Sequence, residues 1–307
     1  MILRRRLLGV GASLALGFAG GAWAGSGSLS GEPFCDRAPD LSAAAQDRLL
    51  RFAAVVRDEL SRFAGDGVAL ISRSGLDVAR FGIRLSHAAI AWRDDDGRWI
   101  ARQLYYACEE DRPRLYDQGL AGFVLGSDDP REGHVSILVV PAAAAVALRE
   151  AALDTPRALR LLAGTYSANA FPFSRRYQNC NQWVAELLAD AWRPPGPVGD
   201  ARAAAQAWLR SAGYAPGPIR VAPWQLLASA FVPLVHLGDH PEADRAAGAL
   251  RFSLPRSIEA FVQRRYPASR RIEICHDGDR VVVRRDGASV GGPCRSDAGD
   301  RVVPLGA

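Results

Sequence analysis

The run Tyr177-Gln178-Asn179-Cys180-Asn181-Gln182-Trp183-Val184 holds the residue types that nucleophilic chemistry needs. Asn179 can cap a helix, with Gln182 three residues later reaching back to it. Cys180 then takes the first helical position, where unpaired N–H groups and the positive end of the helix dipole favour a thiolate. Cys180, Val184, Leu187 and Ala191 fall on one helical stripe, so the thiol should point with the apolar face toward a sheet. A thiol nucleophile needs a base. His87 stands in Ser86 to Arg93, a strand pattern whose alternate positions Ala89 and Ala91 are small enough for a helix to approach. The base in turn needs an orienting group, which the hairpin turn Asp94-Asp95-Asp96-Gly97 brings back on a second strand from Trp99 to Tyr105. Pairing Trp92 with Arg98 sets Gln103 opposite His87, a slip of one residue sets Leu104 there, and a slip of two sets Tyr105. Gln103 is the preferred partner, because its carbonyl can accept from one ring nitrogen while the other takes the thiol proton. The Cys180 N–H would be one oxyanion donor, with Tyr177 or Gln178 as a second.

These groups need elements to hold them. Leu49, Phe52, Ala53, Val56, Leu60 and Phe63 recur at helical spacing and predict an amphipathic helix after Asp40, stopped by Gly65-Asp66-Gly67. Strands are expected at Val68 to Ser72 and at His134 to Val140, and helices over Ala142 to Ala152, from Pro156, and over Asn181 to Ala191. The stretch Arg193-Pro194-Pro195-Gly196-Pro197 marks a soft boundary between a core of residues 25–197 and a C-terminal extension, 198–307, packed on it. Trp224 to Leu237 is apolar enough for a core helix, while Pro233 and its shortness argue against a membrane span. Of the other histidines, His134 is expected at the solvated end of its strand, where it could replace Gln103 under a different strand order, and His276 in a solvated turn. His236 and His240 have a zinc-compatible i, i+4 spacing, but Gly238 disfavours the helix it requires, so they read as loop residues with no metal. No cofactor is expected.

Arg4, Arg5 and Arg6, the apolar stretch Leu7 to Ala19 and the small-residue end Ala22-Trp23-Ala24 predict a secretory signal over residues 1–24, by the general or the twin-arginine route. A periplasmic or secreted protein without a stable membrane span after cleavage follows. Export makes disulfides the default, and five cysteines leave one over. Cys275 and Cys294 flank a hairpin-like pattern and could bridge, Cys35 could then pair with Cys108, and Cys180 is left as the free thiol. The formal charge of +5 falls to +2 without the signal arginines, 35 basic residues against 33 acidic, so no basic face recommends nucleic acid as a partner.

Gly65-Asp66-x-Val68-Ala69-Leu70-Ile71, then Ser86-His87-Ala88-Ala89-Ile90, then Asn179-Cys180-Asn181-Gln182-Trp183 together resemble the circularly permuted branch of the NlpC-type papain-like hydrolases, which includes the lecithin:retinol acyltransferase-like enzymes. In that branch the histidine strand precedes the cysteine helix. The whole chain is also similar to an uncharacterised bacterial family of secreted proteins known only as a domain of unknown function. The resemblance implies an α+β, permuted papain-like core with an antiparallel sheet packed on the cysteine helix, and an extension ending in a disulfide-linked hairpin. It implies a cysteine hydrolase or acyltransferase acting on an amide, ester or thioester, with cell-wall peptide amides the leading substrate and lipid acyl groups the second. Gln103 departs from the family's clear His or Glu, and the segment from Pro216 onward has no counterpart in the hydrolase core. A non-catalytic binding module with a degenerate site is the competing expectation.

Overall fold

A computed structural model of the chain describes residues 41–306 apart from 66, 76–77, 79–80, 128, 197–198, 286 and 291–292; the expected signal segment and Cys35 lie outside the described residues. Helix α1 (Ala43–Ala64) begins at Ser42, whose hydroxyl accepts from the Ala45 N–H, and buries Leu49, Phe52, Ala53, Val56 and Leu60. It stops at Gly65, whose φ of 59° suits glycine. There follow β1 (Val68–Arg73), β2 (His87–Arg93), β3 (Trp99–Ala107), β4 (Arg112–Gly119), α2 (Leu120–Leu125) and β5 (Gly133–Val139). Then come α3 (Ala142–Leu153), α4 (Thr155–Arg160), α5 (Cys180–Trp192), α6 (Ala201–Ser211), β6 (Ile219–Arg220), α7 (Pro223–Ala228) and α8 (Glu242–Ala246). The chain closes with β7 (Ala249–Leu250), α9 (Pro255–Arg265), β8 (Arg270–His276), β9 (Arg280–Arg284) and β10 (Arg301–Pro304).

Eight strands form one antiparallel sheet in the order β10-β9-β8-β5-β1-β2-β3-β4. The segment 198–307 therefore supplies three strands to the main sheet. Strand alternation sends Leu70, Ala88, Ile90, Leu104 and Leu138 to a core shared with α3, α5 and α9, and Ile71, Ala89, Ala91, Ala101 and Ile137 to a second core under α1 and α2. The helix that exploits Ala89 and Ala91 is thus on the α1 and α2 side, while α5 packs over Ala88 and Ile90.

The β2–β3 hairpin has a register two residues from the expected one, with Trp92 opposite Ile100. The cause is local. Asp94 closes the turn by accepting from the Arg98 N–H, and Gly97 turns at φ 76°, so the loop holds three residues and Arg93 pairs with Trp99. Continuing that register sets Tyr105 opposite His87 and puts Gln103 on the diagonal of the same face.

Cys275 and Cys294 are bridged, with Cα atoms 5.7 Å apart. Cys108 is also disulfide-bonded, and its expected partner Cys35 lies outside the described residues. Cys180 is a free, buried thiol. The expectation of a core helix over Trp224 to Leu237 is corrected. The chain makes only α7 and a 3-10 turn (Ser229–Phe231), and Trp224, Leu227 and Phe231 are 67%, 75% and 88% exposed while Leu234 alone is buried. Pro233 stops any longer helix from laying that face on the core. Among the described residues no helix is long and apolar enough to cross a membrane.

Candidate functional site

Helix α5 opens as its sequence dictates: the Asn179 side chain accepts from the Gln182 N–H at 2.7 Å, and Cys180 is the first helical residue. Asn179 also donates to the carbonyls of Ala168 and Ser253, at 3.1 and 3.2 Å, so the cap anchors the helix to two loops. Beneath it Glu186, fully buried, accepts from Gln178, Gln182, Gln206 and Arg202. Burial pushes the Glu186 carboxyl up, and Arg202 with the amides works against that. This network fixes the helix start from below.

The helix start is tied to the start of β2 by Asn181, whose Nδ2 donates to the Ser86 carbonyl at 2.8 Å. Cys180 and His87 therefore reach the same end of the sheet. The imidazole leans toward α2, with ring centroids 5.1 Å from Tyr105 and 6.1 Å from Phe123, while the thiol belongs to the core under α5. No hydrogen bond joins the two among the described residues. His87 Nε2 lies 2.8 Å from Gln103 Oε1, and Gln103 Nε2 donates to Gln118 Oε1 at 2.7 Å. With the Gln103 amide in this orientation its oxygen faces the ring, and Nε2 is then the protonated nitrogen with the lone pair on Nδ1.

Arg73, the last residue of β1, sits beside this pair. It donates to Tyr105 Oη at 2.8 Å, to the Ser74 carbonyl at 2.9 Å and to the Gly126 carbonyl, and its guanidinium lies 5.3 Å from the Phe123 ring centroid. Burial first, and then the Arg73 charge, lower the His87 pKa to about 3, against the raising effect of the Gln103 bond. At Cys180 burial raises the thiol pKa to about 11. The Asn181 and Cys180 N–H groups, the Arg73 charge and the Tyr166 hydroxyl all act in the lowering direction but do not overcome it. The helix-start effect expected from the sequence is thus present in sign, and desolvation outweighs it. Thiol and imidazole are both neutral at pH 7.

Of the two residues expected as the second oxyanion donor, Gln178 has its donors spent elsewhere. Gln178 accepts from the Ala163 N–H, donates to the Leu161 carbonyl and Glu186, and spends its own N–H on the Thr165 carbonyl. Tyr177 stacks on His236 with centroids 4.5 Å apart. The group that faces the thiol is Tyr166, whose ring also meets Tyr106 at 5.5 Å. Tyr166, Arg73 and Gln118 carry no local motif. Only Arg73, a cation closing the apolar run Val68-Ala69-Leu70-Ile71, left a trace in the sequence.

The remaining histidines are buried or stacked. His134, expected at a solvated strand end, is buried on β5 between Glu132 and Glu273, away from His87. His276, expected in a solvated turn, is the last residue of β8, where it packs on Phe52 at 4.4 Å and burial lowers its pKa to about 4. The reason is common to both: β5 and β8 pair along their whole length, which carries their ends inside. His240 Nε2 bonds the Asn169 carbonyl at 2.7 Å and Asp239 accepts from the Phe171 N–H, so this loop staples the segment that leads from Tyr166 toward Cys180. Among the described residues no group of three or more His, Cys, Asp or Glu side chains could hold a metal ion.

Searches of curated proteins and of solved structures find no match. A family model described as an uncharacterized protein conserved in bacteria (DUF2145) matches residues 60–262, from the last turn of α1 through most of α9, with Cys180, His87 and Gln103 all inside it. The match spans about two-thirds of the chain, and the chain belongs to that family.

Proposed function

We propose that the chain is an exported cysteine hydrolase or acyltransferase with a permuted papain-like core, in which Cys180 attacks an amide, ester or thioester and His87 is the base. One observation supports this reading: the Gln118–Gln103–His87 chain orients the imidazole, at the end of the sheet where α5 begins with Cys180. Because both groups rest neutral, attack is coupled to proton transfer. In that step the Sγ–H proton passes to Nδ1, the ring coming round the end of the sheet from its α2 side, as the Sγ–C bond forms and the carbonyl electron pair moves onto oxygen. The Asn181 and Cys180 N–H groups and the Tyr166 hydroxyl, which act on the thiol, are the donors available to that oxyanion. Collapse expels the leaving group with the proton from Nδ1, and water or another acceptor resolves the thioester. A cell-wall peptide amide is the favoured substrate and a lipid acyl group the second.

A binding module is the second reading, favoured by the same dry surroundings that raise the thiol to about 11 and lower His87 to about 3. Peptide-resolved iodoacetamide labelling separates them. The enzyme reading expects Cys180 to label near pH 7 and to lose that labelling in His87→Ala. Labelling that begins only toward pH 11 and ignores the substitution removes it in favour of the binder.

A further inference from the structure

At the opposite end of the sheet, the last turn of α1, the residue after β9 and the start of β10 converge on Glu59, and the start of β8 lies beside it. This carboxylate is only 1% exposed, yet it accepts from three arginines: Arg285 through both Nε and Nη2, Arg301 at 2.6 Å and Arg62 at 2.5 Å. Beside it is an open cavity of about 580 Å³, walled by Arg62, Arg270 and Arg285 among others. Arg271 also borders it but is neutralised by Glu259 and Glu273, at 2.8 and 2.5 Å. Among the described residues that leaves three guanidiniums bordering the cavity against one carboxylate, which Arg301 also claims. The carbonyl end of α1 adds about half a negative charge, too little to cancel the excess.

These cations are held in place. Arg270 donates to the Phe63 carbonyl at 2.9 Å and lies 4.6 Å from the Phe63 ring centroid, and Arg285 is fixed by its fork on Glu59. Arg62 and Arg301 each spend one terminal nitrogen on Glu59, and a guanidinium has five N–H donors. A pre-positioned set of forks around a small-molecule-sized hollow matches the oxygens of phosphate groups, which guanidiniums bind bidentately. We propose that this cavity binds a small, multiply charged phosphate-bearing anion, with Arg62, Arg270 and Arg285 as its ligands and Glu59 as the post that gathers them. The site is independent of Cys180. It lies at the margin of the family match, with Glu59, Arg270, Arg285 and Arg301 outside it.

The test is calorimetric titration of the full chain with pyrophosphate at constant ionic strength, beside Arg62→Gln/Arg270→Gln, which leaves Glu59 paired to Arg285 and Arg301. Saturable binding, weakened about tenfold or more in the double variant, is expected, since each lost charge-assisted fork removes a strong contact. Equal binding by both proteins, or no saturation, overturns the proposal. Should the double variant not fold, Arg270→Gln alone serves, since that side chain is exposed and makes no ion pair among the described residues. Binding to phosphatidylglycerol vesicles without binding to pyrophosphate would replace the small-anion site with a membrane-contact surface and so also overturns it.

Discussion

Two buried carboxylates, one toward each end of the molecule, are both paired to arginine, and their surroundings differ. Glu186 sits under the cysteine helix with Arg202, whose side chain is 7% exposed and whose remaining donors go to the carbonyls of Ser174, Arg175 and Tyr177. Glu59 is as deeply placed, but its partners Arg62, Arg285 and Arg301 are 54%, 47% and 41% exposed. One pair is part of the interior; the other is a buried anchor with its cations in water. The contrast extends to the neighbours. At the cysteine end burial holds both His87 and Cys180 in their neutral forms, whereas among the described residues the arginine end keeps an excess of charge beside an open hollow. Burial at this protein's cysteine end stores reactive groups in neutral form, and exposure at the other end keeps charges available.

The sharpest way to break that comparison is to delete each carboxylate. Glu186→Ala strands a guanidinium with nowhere to turn and should destabilise the fold by about 3–5 kcal/mol. Glu59→Ala frees three arginines that can reach solvent, so it should lose clearly less. Urea unfolding of both variants checks this, and equal losses would mean that the partners' exposure does not decide the outcome.

The second test uses protons. His87 stays neutral in the fold down to about pH 3 but would titrate near 6.5 when unfolded, so between these values the unfolded chain binds more protons. Stability should therefore fall as pH drops through that window, by up to about 1.4 kcal/mol per pH unit from this residue. His276, lowered to about 4, adds to the slope over the upper part of the window. His87→Gln should flatten the dependence of the urea midpoint between pH 6.5 and 4; an unchanged slope would show that His87 is not held neutral.

Gln103→Leu probes the same end more finely. It removes the acceptor at Nε2, so the ring loses its fixed tautomer, and iodoacetamide labelling of Cys180 at pH 7 should slow by about tenfold. A rate equal to that of the unsubstituted protein would leave His87 without an orienting partner in the proposed mechanism.

Gln103 also shows how much of this site could be read in advance. The residue expected beside His87 is the one that bonds it, but by a route other than the one the sequence suggested. The register is two residues off because Asp94 pairs across the turn with Arg98, which moves the centre of the three-residue loop from Asp95 to Asp96, and the diagonal neighbour reaches the ring instead of the direct one. Period-two alternation fixes the face of each strand residue, so Gln103 could not leave the His87 face without a one-residue slip. The cap at Asn179, the stripe of α1 and the Cys275–Cys294 bridge were legible because each depends on residues near in sequence or on a small set of candidates. Arg73, Tyr166, Gln118 and the depth of His134 and His276 were not, because they depend on strand order, β8 pairing with β5 across more than a hundred residues of chain. Trp224, Leu227 and Phe231 failed in the opposite way: an apolar run predicts burial only if something covers it.

The smallest effect belongs to the arginine end. Arg62 is one of three cations on Glu59, on the exposed last turn of α1, so Arg62→Gln leaves the carboxylate with two partners. An exposed ion pair contributes about 0–1 kcal/mol, and the loss in urea unfolding should stay within that range and shrink further at high salt. A larger loss would mean that Glu59 needs all three cations to remain buried. The site would then be a closed structural cluster like Glu186 with Arg202, its arginines committed to the fold, and the contrast between the two ends would fail where it is thinnest.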